Sequence, residues 1–464
     1  MSETIRTTAA KALRVNLDLE RYGAFAEIGA GQEVARHFFQ AGRASQTIAK
    51  SMSAYDMTYS DEIYGREKNG RYVCESRLAK MLEKEYSLLI RRLDEKRGAQ
   101  TRFFAFANTV ATGSPETPKC HGWMGIRYQS KPRGPFNDII LHVRMTDRLR
   151  LQQQEALGIL GVNLIEAAFY GTQSPERFLN ELVANLKAGQ VIIDLMRFSG
   201  PDLADFENRR MNLELVRRGL AEAALFAPNG EVMNMADAVW GKSLLIQRGT
   251  FRPYTLTHAD VIHKGLAQLK AEAPKMTEKK TEVMALCEIV MPKDAKLKEL
   301  PDLENRLDAL GAMGHHTLVS NFPLYYRLKH FIRLFTPMPM ALIMGASKLD
   351  KLFDEKPYAD LEGGTLEGLG KLFDQQTKLY VYPHKTEKIC LTAKVFSPAG
   401  PAAKIYDYFR GQRQILDISG CDEADVYWHS ADVRKLIEKK DRSWEKLVPA
   451  PVISLVKKRK IWGF

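Results

Sequence analysis

Cysteine is scarce in this chain of 464 residues, and long apolar runs are missing. None of the five cysteines belongs to a Cys-x-x-Cys pair, so the sequence predicts neither a disulfide framework nor a zinc site. No apolar run reaches the ~20 residues that a membrane-spanning helix needs, so no membrane association is expected. The polar, acid-containing stretch 1–6 does not resemble a secretion signal. We therefore expect a cytoplasmic protein.

Acidic residues are outnumbered by basic ones. The chain carries 56 Asp and Glu against 68 Lys and Arg, which gives a formal net charge of +12. Such an excess favours anionic partners, namely nucleotides, nucleic acid or an acidic membrane face. The excess is spread along the chain apart from a basic run at residues 457–460, which we interpret as a solvated tail. Nucleic acid is therefore not the expected partner, and nucleic-acid binding stays a weaker alternative.

The length fits two or three domains. Changes in the residue pattern divide the chain into a polar leader (1–20), an N-terminal α/β domain of unknown role (21–238), a second domain (239–440) and a basic C-terminal tail (441–464). The N-terminal domain has several short strands between residues 103 and 143, and helices follow near 150–170 and 175–187. A strand at 190–195 and a helix at 212–224 complete it.

The second domain has a more regular rhythm, in which near-continuous apolar strands alternate with helices. The predicted strands lie at 244–247, 284–291, 317–320, 341–344 and 378–382. This alternation predicts a parallel sheet covered on both faces, that is, a Rossmann-like α/β fold. Right-handed crossovers then bring all the strand carboxyl ends to one edge, where the ligands of such sheets bind.

Three features of the N-terminal domain suggest function, and we expect a structural role for each. Gly29 and Gly31 lack a third glycine and a clean preceding strand, so a tight turn is favoured over phosphate binding. Cys120 and His121 are sequence neighbours, which seldom face one pocket as a catalytic pair. Asp194 stands in the last predicted strand and could be catalytic, although loop capping is the expected role.

The most informative stretch, residues 248–260, joins the first strand of the second domain to its first helix. Gly249 allows the backbone to approach a ligand closely, and Pro253 stiffens the loop. Thr257 suits the helix start. His258 lies in the first helical turn, where exposed N–H groups and the helix dipole attract phosphate.

This stretch resembles the G-x-F-x-P-x-H-x-G-H signature of the nucleotidyltransferase superfamily, and most of all that of nicotinate and nicotinamide mononucleotide adenylyltransferases. Gly249, Phe251, Pro253 and His258 match the signature, whereas Thr255 stands at the first histidine and Thr257 at the glycine. The resemblance implies a Rossmann-like nucleotidyltransferase domain in the C-terminal half.

Three further matches follow in the family's order. Pro292 and Lys293 resemble the proline and basic residue after the second strand. Residues 345–352 resemble the G-x-D-x-L-x-x-L segment, and residues 429–437 resemble the S-S-T-x-I-R helix start. Together the four matches cover less than half of the chain.

The resemblance implies adenylyl transfer from ATP, with Mg²⁺ bridging phosphate oxygens, to a phosphorylated small acceptor such as nicotinate or nicotinamide mononucleotide. It assigns the catalytic positions to His258, Thr255 and Arg434, and the acceptor contact to Lys293. The ATP contacts it implies are Gly249, Thr250, Phe251, Gly345, Ser347 and Ser430. No protein metal ligand is predicted, and homo-oligomer formation is left open.

Departures from the family pattern keep two alternatives open. Thr255 cannot carry positive charge, Ser347 replaces the family's aspartate, and Ala431 removes one hydroxyl. Losing one charged transition-state contact typically costs ~3 kcal/mol, or about a hundredfold in rate. The sequence therefore predicts either an adenylyltransferase or a catalytically degenerate nucleotide-binding or scaffold protein.

Overall fold

The computed structural model describes residues 6–67, 70–113, 120–277, 281–421 and 428–464. The chain divides into two compact units, Met1–Ala221 and Glu222–Phe464. The division differs from the boundary predicted at residue 238. Residues 223–226 form a strand that pairs with residues 317–320 of the second unit, so this segment belongs to the second sheet.

Unit 1 is built on a mixed sheet of six strands. They are β1 (Arg21–Gly29), β2 (Ile48–Ala54), β3 (Arg102–Ala111), β4 (His121–Gln129), β5 (Phe136–Met145) and β6 (Val191–Ser199). Their order is β2-β1-β3-β4-β5-β6. β1 runs parallel to β2 and β3, and the remaining neighbours are antiparallel. The predicted strands of the N-terminal half are confirmed.

Seven helices accompany this sheet in the described part of unit 1. They are α1 (Thr8–Asn16), α2 (Glu33–Ala41), α3 (Met57–Tyr64), α4 (Glu75–Arg97), α5 (Arg150–Tyr170), α6 (Pro175–Leu182) and α7 (Asn208–Arg217). The predicted leader contains α1, which is packed rather than solvated: buried Lys11 lies 2.7 Å from Glu181 and 3.7 Å from Glu166. The predicted helix at 212–224 ends earlier, at Arg217, because the chain then enters the second sheet.

Unit 2 contains a larger sheet and a small hairpin. Its strands are β7 (Ala223–Phe226), β8 (Val232–Met233), β9 (Ser243–Arg248), β10 (Val283–Val290), β11 (His316–Ser320), β12 (Met340–Gly345), β13 (Thr377–Tyr382), β14 (His384–Lys385), β15 (Cys390–Leu391) and β16 (Ile415–Asp417). The large sheet has the order β16-β13-β12-β9-β10-β11-β7-β8, and β14 pairs with β15. From β16 to β11 all neighbours are parallel. The second unit is therefore a Rossmann-like α/β fold, as predicted.

The helices of unit 2 connect these strands and cover the sheet. They are α8 (Met235–Val239), α9 (Leu256–Thr277), α10 (Leu300–Ala312), α11 (Tyr325–Arg333), α12 (Leu349–Phe353), α13 (Gly364–Leu372), α14 (Ala402–Gly411), α15 (Ser430–Glu438) and α16 (Ala450–Arg459). The core consists of fully buried strand residues, among them Leu244, Ile343 and Val381. Parallel strands buried on both faces must be apolar throughout, which is why the sequence pattern revealed them.

The segment predicted as a basic tail is folded into unit 2. Trp444 is buried, and the indole Nε1–H of Trp462 donates to Asp302 at 2.9 Å. Two cations of the basic run form ion pairs, Lys457 with Glu445 at 2.8 Å and Arg459 with Asp308 at 2.5 Å. A solvated tail is therefore a wrong prediction for these residues.

The cysteines also depart from the prediction. Cys390 and Cys421 form a disulfide with a Cα–Cα distance of 6.1 Å. The two residues are 31 positions apart and belong to no recognisable pattern, so only the fold brings them together. The other three cysteines (Cys74, Cys120 and Cys287) are buried and reduced. Across the described ranges, no helix combines the length and apolarity needed to span a membrane.

Candidate nucleotide-binding site

The candidate site lies at the carboxyl edge of the large sheet of unit 2. β9 is flanked there by β10 and β12, so the segments that follow these three parallel strands leave the sheet side by side. The loop 249–255 follows β9 and leads into α9. Residues 346–348 follow β12 as a short 3-10 helix. This edge of a doubly wound sheet is where such folds bind ligands.

The loop after β9 is packed around its own aromatic side chains. Phe251 is fully buried, and its ring lies 6.0 Å from Tyr254 and 5.0 Å from His258, centroid to centroid. A Cβ at Gly249 would come within 2.8 Å of the Phe251 ring, so glycine is required there. Of the predicted ATP contacts in this loop, only Thr250 is exposed. The buried ring of Phe251 packs within the loop and supports its conformation.

His258 is held in a defined tautomer by Thr255. The Thr255 backbone N–H donates to Nδ1 of His258 at 3.0 Å, and the Thr255 Oγ1 lies 2.8 Å from the same nitrogen. Because Nδ1 accepts a hydrogen bond from the backbone N–H, neutral His258 must carry its own proton on Nε2. Thr255 Oγ1 in turn accepts from the His258 backbone N–H at 3.4 Å. The two predicted catalytic residues are thus in direct contact, and the hydrogen bond from Thr255 fixes the tautomer of His258.

The imidazole of His258 is neutral at physiological pH. Burial, together with smaller electrostatic contributions from Lys348 and His429, lowers its pKa to about 3. A neutral imidazole with its proton on Nε2 can donate a hydrogen bond to a phosphate oxygen but cannot supply a full charge. The charge at this site must therefore come from other residues.

Lys348 is a residue of the site that the sequence analysis missed. It ends the 3-10 helix Ala346–Lys348 after β12, and its side chain keeps an exposed surface. The surrounding protein nevertheless lowers its pKa by desolvation, with a further contribution from Lys351. Its charge also lowers the pKa of both His258 and His429. Lys348 occupies an unspecified position of the family motif, so no sequence signal marked it.

The start of α15 is joined to the loop after β9. The Ser430 hydroxyl donates to the Pro253 carbonyl oxygen at 2.9 Å, and the Trp428 backbone N–H donates to the Thr257 hydroxyl at 3.3 Å. Between them, the ring of His429 lies 5.6 Å from that of His384, centroid to centroid. Two motif segments separated by 177 positions therefore meet, although the Ser430 hydroxyl is directed to the loop.

Arg434 lies one turn further along α15, with its side chain 33% exposed and Nε 3.3 Å from Glu438. Its charge acts on Arg252, whose pKa is lowered mainly by burial and also by Arg434. Arg252 belongs to the loop after β9 and pairs with Asp302 at 3.0 Å. Arg434 therefore interacts electrostatically with Arg252 of the loop before α9, a second guanidinium that the sequence analysis did not single out.

An ion pair buried behind the site ties β9 to its neighbours. Arg248 donates to both carboxylate oxygens of Glu288, at 2.6 and 2.9 Å, and Glu288 also accepts from the Ser320 hydroxyl at 2.6 Å. These residues stand at the ends of β9, β10 and β11, respectively. Lys293, the predicted acceptor contact, is exposed in the loop after β10. Of the remaining predicted ATP contacts, Gly345 is buried and Ser347 is half-buried.

In the part of the chain that the structure describes, no cluster of three or more His, Cys, Asp or Glu side chains could hold a metal ion. A magnesium ion that arrives with ATP takes its ligands mainly from phosphate oxygens and water.

Comparisons with known proteins find similarity in structure only. No protein-family model matches the chain, and no curated protein is significantly similar in sequence. The competence/damage-inducible protein CihA from Agrobacterium tumefaciens is 19% identical, with 36% of this chain and 98% of that chain covered and a TM-score of 0.26. A CinA superfamily protein from Enterobacter cloacae is 13% identical, with 36% and 95% covered and a TM-score of 0.27.

A third similar structure is nicotinic acid mononucleotide adenylyltransferase from Plasmodium falciparum, complexed with APC. It is 13% identical, with 48% of this chain and 98% of that chain covered and a TM-score of 0.28. All three TM-scores are low.

Proposed function

We propose that unit 2 binds ATP with Mg²⁺ and transfers the adenylyl group to a phosphorylated small molecule. The observation that carries the proposal is the pair of hydrogen bonds from Ser430 to Pro253, at 2.9 Å, and from Trp428 to Thr257, at 3.3 Å. They join the start of α15, the helix that bears Arg434, to the loop before α9 and to the first turn of α9, which bears His258. The resemblance to mononucleotide adenylyltransferases predicts this convergence.

The triphosphate would bind where three favourable groups meet. The first turn of α9, a helix of 22 residues, offers backbone N–H groups and the positive end of the helix dipole. His258 offers a hydrogen bond from Nε2, and Lys348 supplies a positive charge. Arg434 would bind the outer phosphates, because a planar guanidinium pairs with two phosphate oxygens at once.

The proposed reaction needs no nucleophile from the protein. An acceptor phosphate oxygen attacks the α-phosphorus of ATP, the bond to the bridging oxygen breaks, and pyrophosphate leaves with that oxygen. The chain contributes position and charge stabilisation, with Thr255 orienting His258. Nicotinate or nicotinamide mononucleotide is the acceptor that the resemblance suggests.

A second candidate function is nucleotide binding without catalysis, as in a scaffold protein. His258 is neutral, and Thr255 stands where the family signature has a second histidine that carries charge. The absence of a charged imidazole at these two positions favours binding without catalysis. The engagement of Ser430 with Pro253 favours it as well, because that hydroxyl is already used. The hypothesis of nucleic-acid binding has less support, because Lys457 and Arg459 of the basic run form ion pairs with Glu445 and Asp308.

The deciding experiment measures pyrophosphate release from ATP and Mg²⁺ with each mononucleotide, using the full chain. His258→Ala should abolish release. His330→Ala, on the exposed face of α11, should leave it unchanged. ATP binding by calorimetry without pyrophosphate release would favour the scaffold alternative, and the absence of ATP binding would end both proposals.

A further inference from the structure

A covalent cross-link of unit 2 lies next to the segments that form the candidate nucleotide-binding site. The Cys390–Cys421 disulfide joins β15 of the small hairpin to the segment that follows β16. Both of its cysteines are half-buried, whereas the three free cysteines of the chain are buried. Because reduction begins with the attack of a thiolate on a disulfide sulfur, a partly exposed disulfide is open to reductants.

The hairpin that bears Cys390 is short. β14 and β15 have two residues each and pair antiparallel. The turn between them adds a hydrogen bond from the Thr386 N–H to the Ile389 carbonyl oxygen at 2.8 Å. An isolated two-stranded hairpin is at best marginally stable in water. This hairpin therefore depends on its attachment to the rest of the unit.

The chain on either side of the disulfide is anchored to the large sheet. After the hairpin, the Ala393 backbone N–H donates to the carboxylate of Asp417, at the end of β16, at 2.6 Å. Before the second cysteine, the Ile418 N–H donates to the Val381 carbonyl oxygen of β13 at 3.1 Å. The hairpin extends beyond these anchors, and the disulfide is the covalent bond that fastens it to the segment after β16.

The hairpin borders the residues proposed to bind ATP. The ring of His384, in β14, lies 5.6 Å from that of His429, centroid to centroid. Burial, Lys348 and His384 all lower the pKa of His429. His429 directly precedes Ser430, whose hydroxyl donates to the loop after β9. A change in the position of the hairpin would therefore reach the start of α15 and the phosphate-binding groups beside it.

We propose that the Cys390–Cys421 disulfide is a reversible redox switch of the candidate nucleotide-binding site, so that the oxidised chain binds ATP more tightly than the reduced chain. The inference rests on the proposed function of unit 2. The reduced hairpin keeps its own pairing but loses its covalent attachment, so His384 is no longer held against His429. A protein whose binding-competent state is only partly populated binds its ligand with an affinity reduced by that fraction.

Opening the switch is a thiol–disulfide exchange with a dithiol reductant. A thiolate of the dithiol attacks one cysteine sulfur, the Cys390–Cys421 bond breaks, and the other cysteine leaves as a thiolate that takes up a proton. The second thiol of the reductant then attacks the mixed disulfide and releases the remaining cysteine, which is protonated in turn. The chain has then gained the electron pair and both protons, and the dithiol has become a disulfide. Oxidised glutathione, a small disulfide, reverses the exchange.

The first test establishes the two states in the full, folded chain. After denaturation, iodoacetamide should alkylate three cysteines in the chain purified without reductant and all five in the chain treated beforehand with dithiothreitol. Oxidised glutathione should return the reduced chain to the first state. Alkylation of every cysteine in the untreated chain, or a disulfide that dithiothreitol cannot reduce before denaturation, would overturn the proposal.

The second test is calorimetric titration of both states with ATP and Mg²⁺. Reduction should raise the dissociation constant of the wild type about threefold to tenfold. The double variant Cys390→Ser/Cys421→Ser should bind like the reduced wild type with or without dithiothreitol. Cys74→Ser, which changes a buried free thiol of unit 1, is the matched control and should respond to dithiothreitol like the wild type. Equal affinities of the oxidised and reduced wild type would refute the switch.

Hydrogen exchange, followed by mass spectrometry, separates this inference from the proposed function because it needs no nucleotide. Reduction should speed the exchange of amides in residues 384–391 and leave that of β12, in the middle of the sheet, unchanged. Unchanged exchange at residues 384–391 in a chain that binds ATP would overturn the switch alone. A chain that binds ATP in neither redox state would end the proposed function, and the control of affinity with it.

Discussion

The backbone N–H of Thr255 donates to Nδ1 of His258 at 3.0 Å, so a residue that cannot itself carry charge determines which nitrogen of the neutral imidazole carries the proton. The sequence comparison treats Thr255 as a lost histidine. In the structure it is a positioning residue, and this difference leads to the first prediction.

Thr255→Val should keep the backbone donor and the side-chain size but remove Oγ1, which accepts from the His258 N–H at 3.4 Å. We expect the rate of adenylyl transfer to fall about fivefold to tenfold, the value of roughly one hydrogen bond. Steady-state pyrophosphate release measures it. Thr365→Val, in the first turn of α13, is the control, and an unchanged rate for Thr255→Val would show that Oγ1 does not orient His258.

Lys348→Ala should weaken ATP binding by about tenfold to a hundredfold, because a charge-assisted hydrogen bond contributes about 1.5–3 kcal/mol. Calorimetric titration with ATP and Mg²⁺ measures the change. Lys351→Ala is the matched control, an exposed lysine on α12 nearby. Removal of the Lys348 charge should also raise the pKa of His429, which NMR titration can follow. Equal ATP affinity in both variants would remove Lys348 from the site.

The stability of the chain should depend on pH through His258. Its pKa is lowered to about 3 in the folded chain, against ~6.5 for an unperturbed histidine. Between these values the unfolded chain binds a proton that the folded chain does not. The free energy of unfolding therefore falls as the pH falls through this window, by about 1.4 kcal/mol per pH unit for one proton.

His258→Asn should remove this share of the pH dependence, measured by urea unfolding between about pH 4 and pH 7. His330→Asn, at an exposed position, should retain the wild-type slope. If the wild type and His258→Asn lose stability equally on acidification, the neutral state of His258 in the fold is wrong.

Glu288→Gln should destabilise unit 2 by about 3–5 kcal/mol, because it leaves Arg248 buried without its charge partner. Glu282→Gln is the control: Glu282 is 70% exposed and lies 3.4 Å from Lys242. Such a surface pair is worth about 0–1 kcal/mol. Urea unfolding compares the two variants, and similar losses would contradict the role of the Arg248–Glu288 pair as the anchor of the sheet edge.

The sequence was most informative where burial imposes a simple pattern. The parallel strands β9 to β13 are covered on both faces, so their apolar runs were found almost to the residue. β1 was missed although it is buried and ends at Gly29, where no clean strand was expected. β2 was missed because it is an edge strand whose interior residues are partly or fully exposed. β7 was read as the end of a helix, since its role depends on pairing with β11, about ninety positions away.

The residues of the candidate site were likewise predictable only where the sequence has a simple local pattern. His258 and Thr255 lie in one short segment with a local signature, and the sequence located both. Lys348 and the Arg248–Glu288 pair belong to the site edge only because adjacent strands deliver them there. The Cys390–Cys421 bond likewise joins residues that no spacing rule connects.

The hydrogen bond from Ser430 to Pro253 has a consequence for how the protein is made. The loop after β9 is synthesised when roughly half of the chain has been made, whereas α15, which is bonded to it, is synthesised near the end. A nascent chain or a proteolytic product that stops short of Ser430 would keep the recognisable signature and the sheet beneath it, yet its loop would lack the donor that holds the Pro253 carbonyl. Nucleotide affinity should therefore arise late in biosynthesis, as the final helices dock.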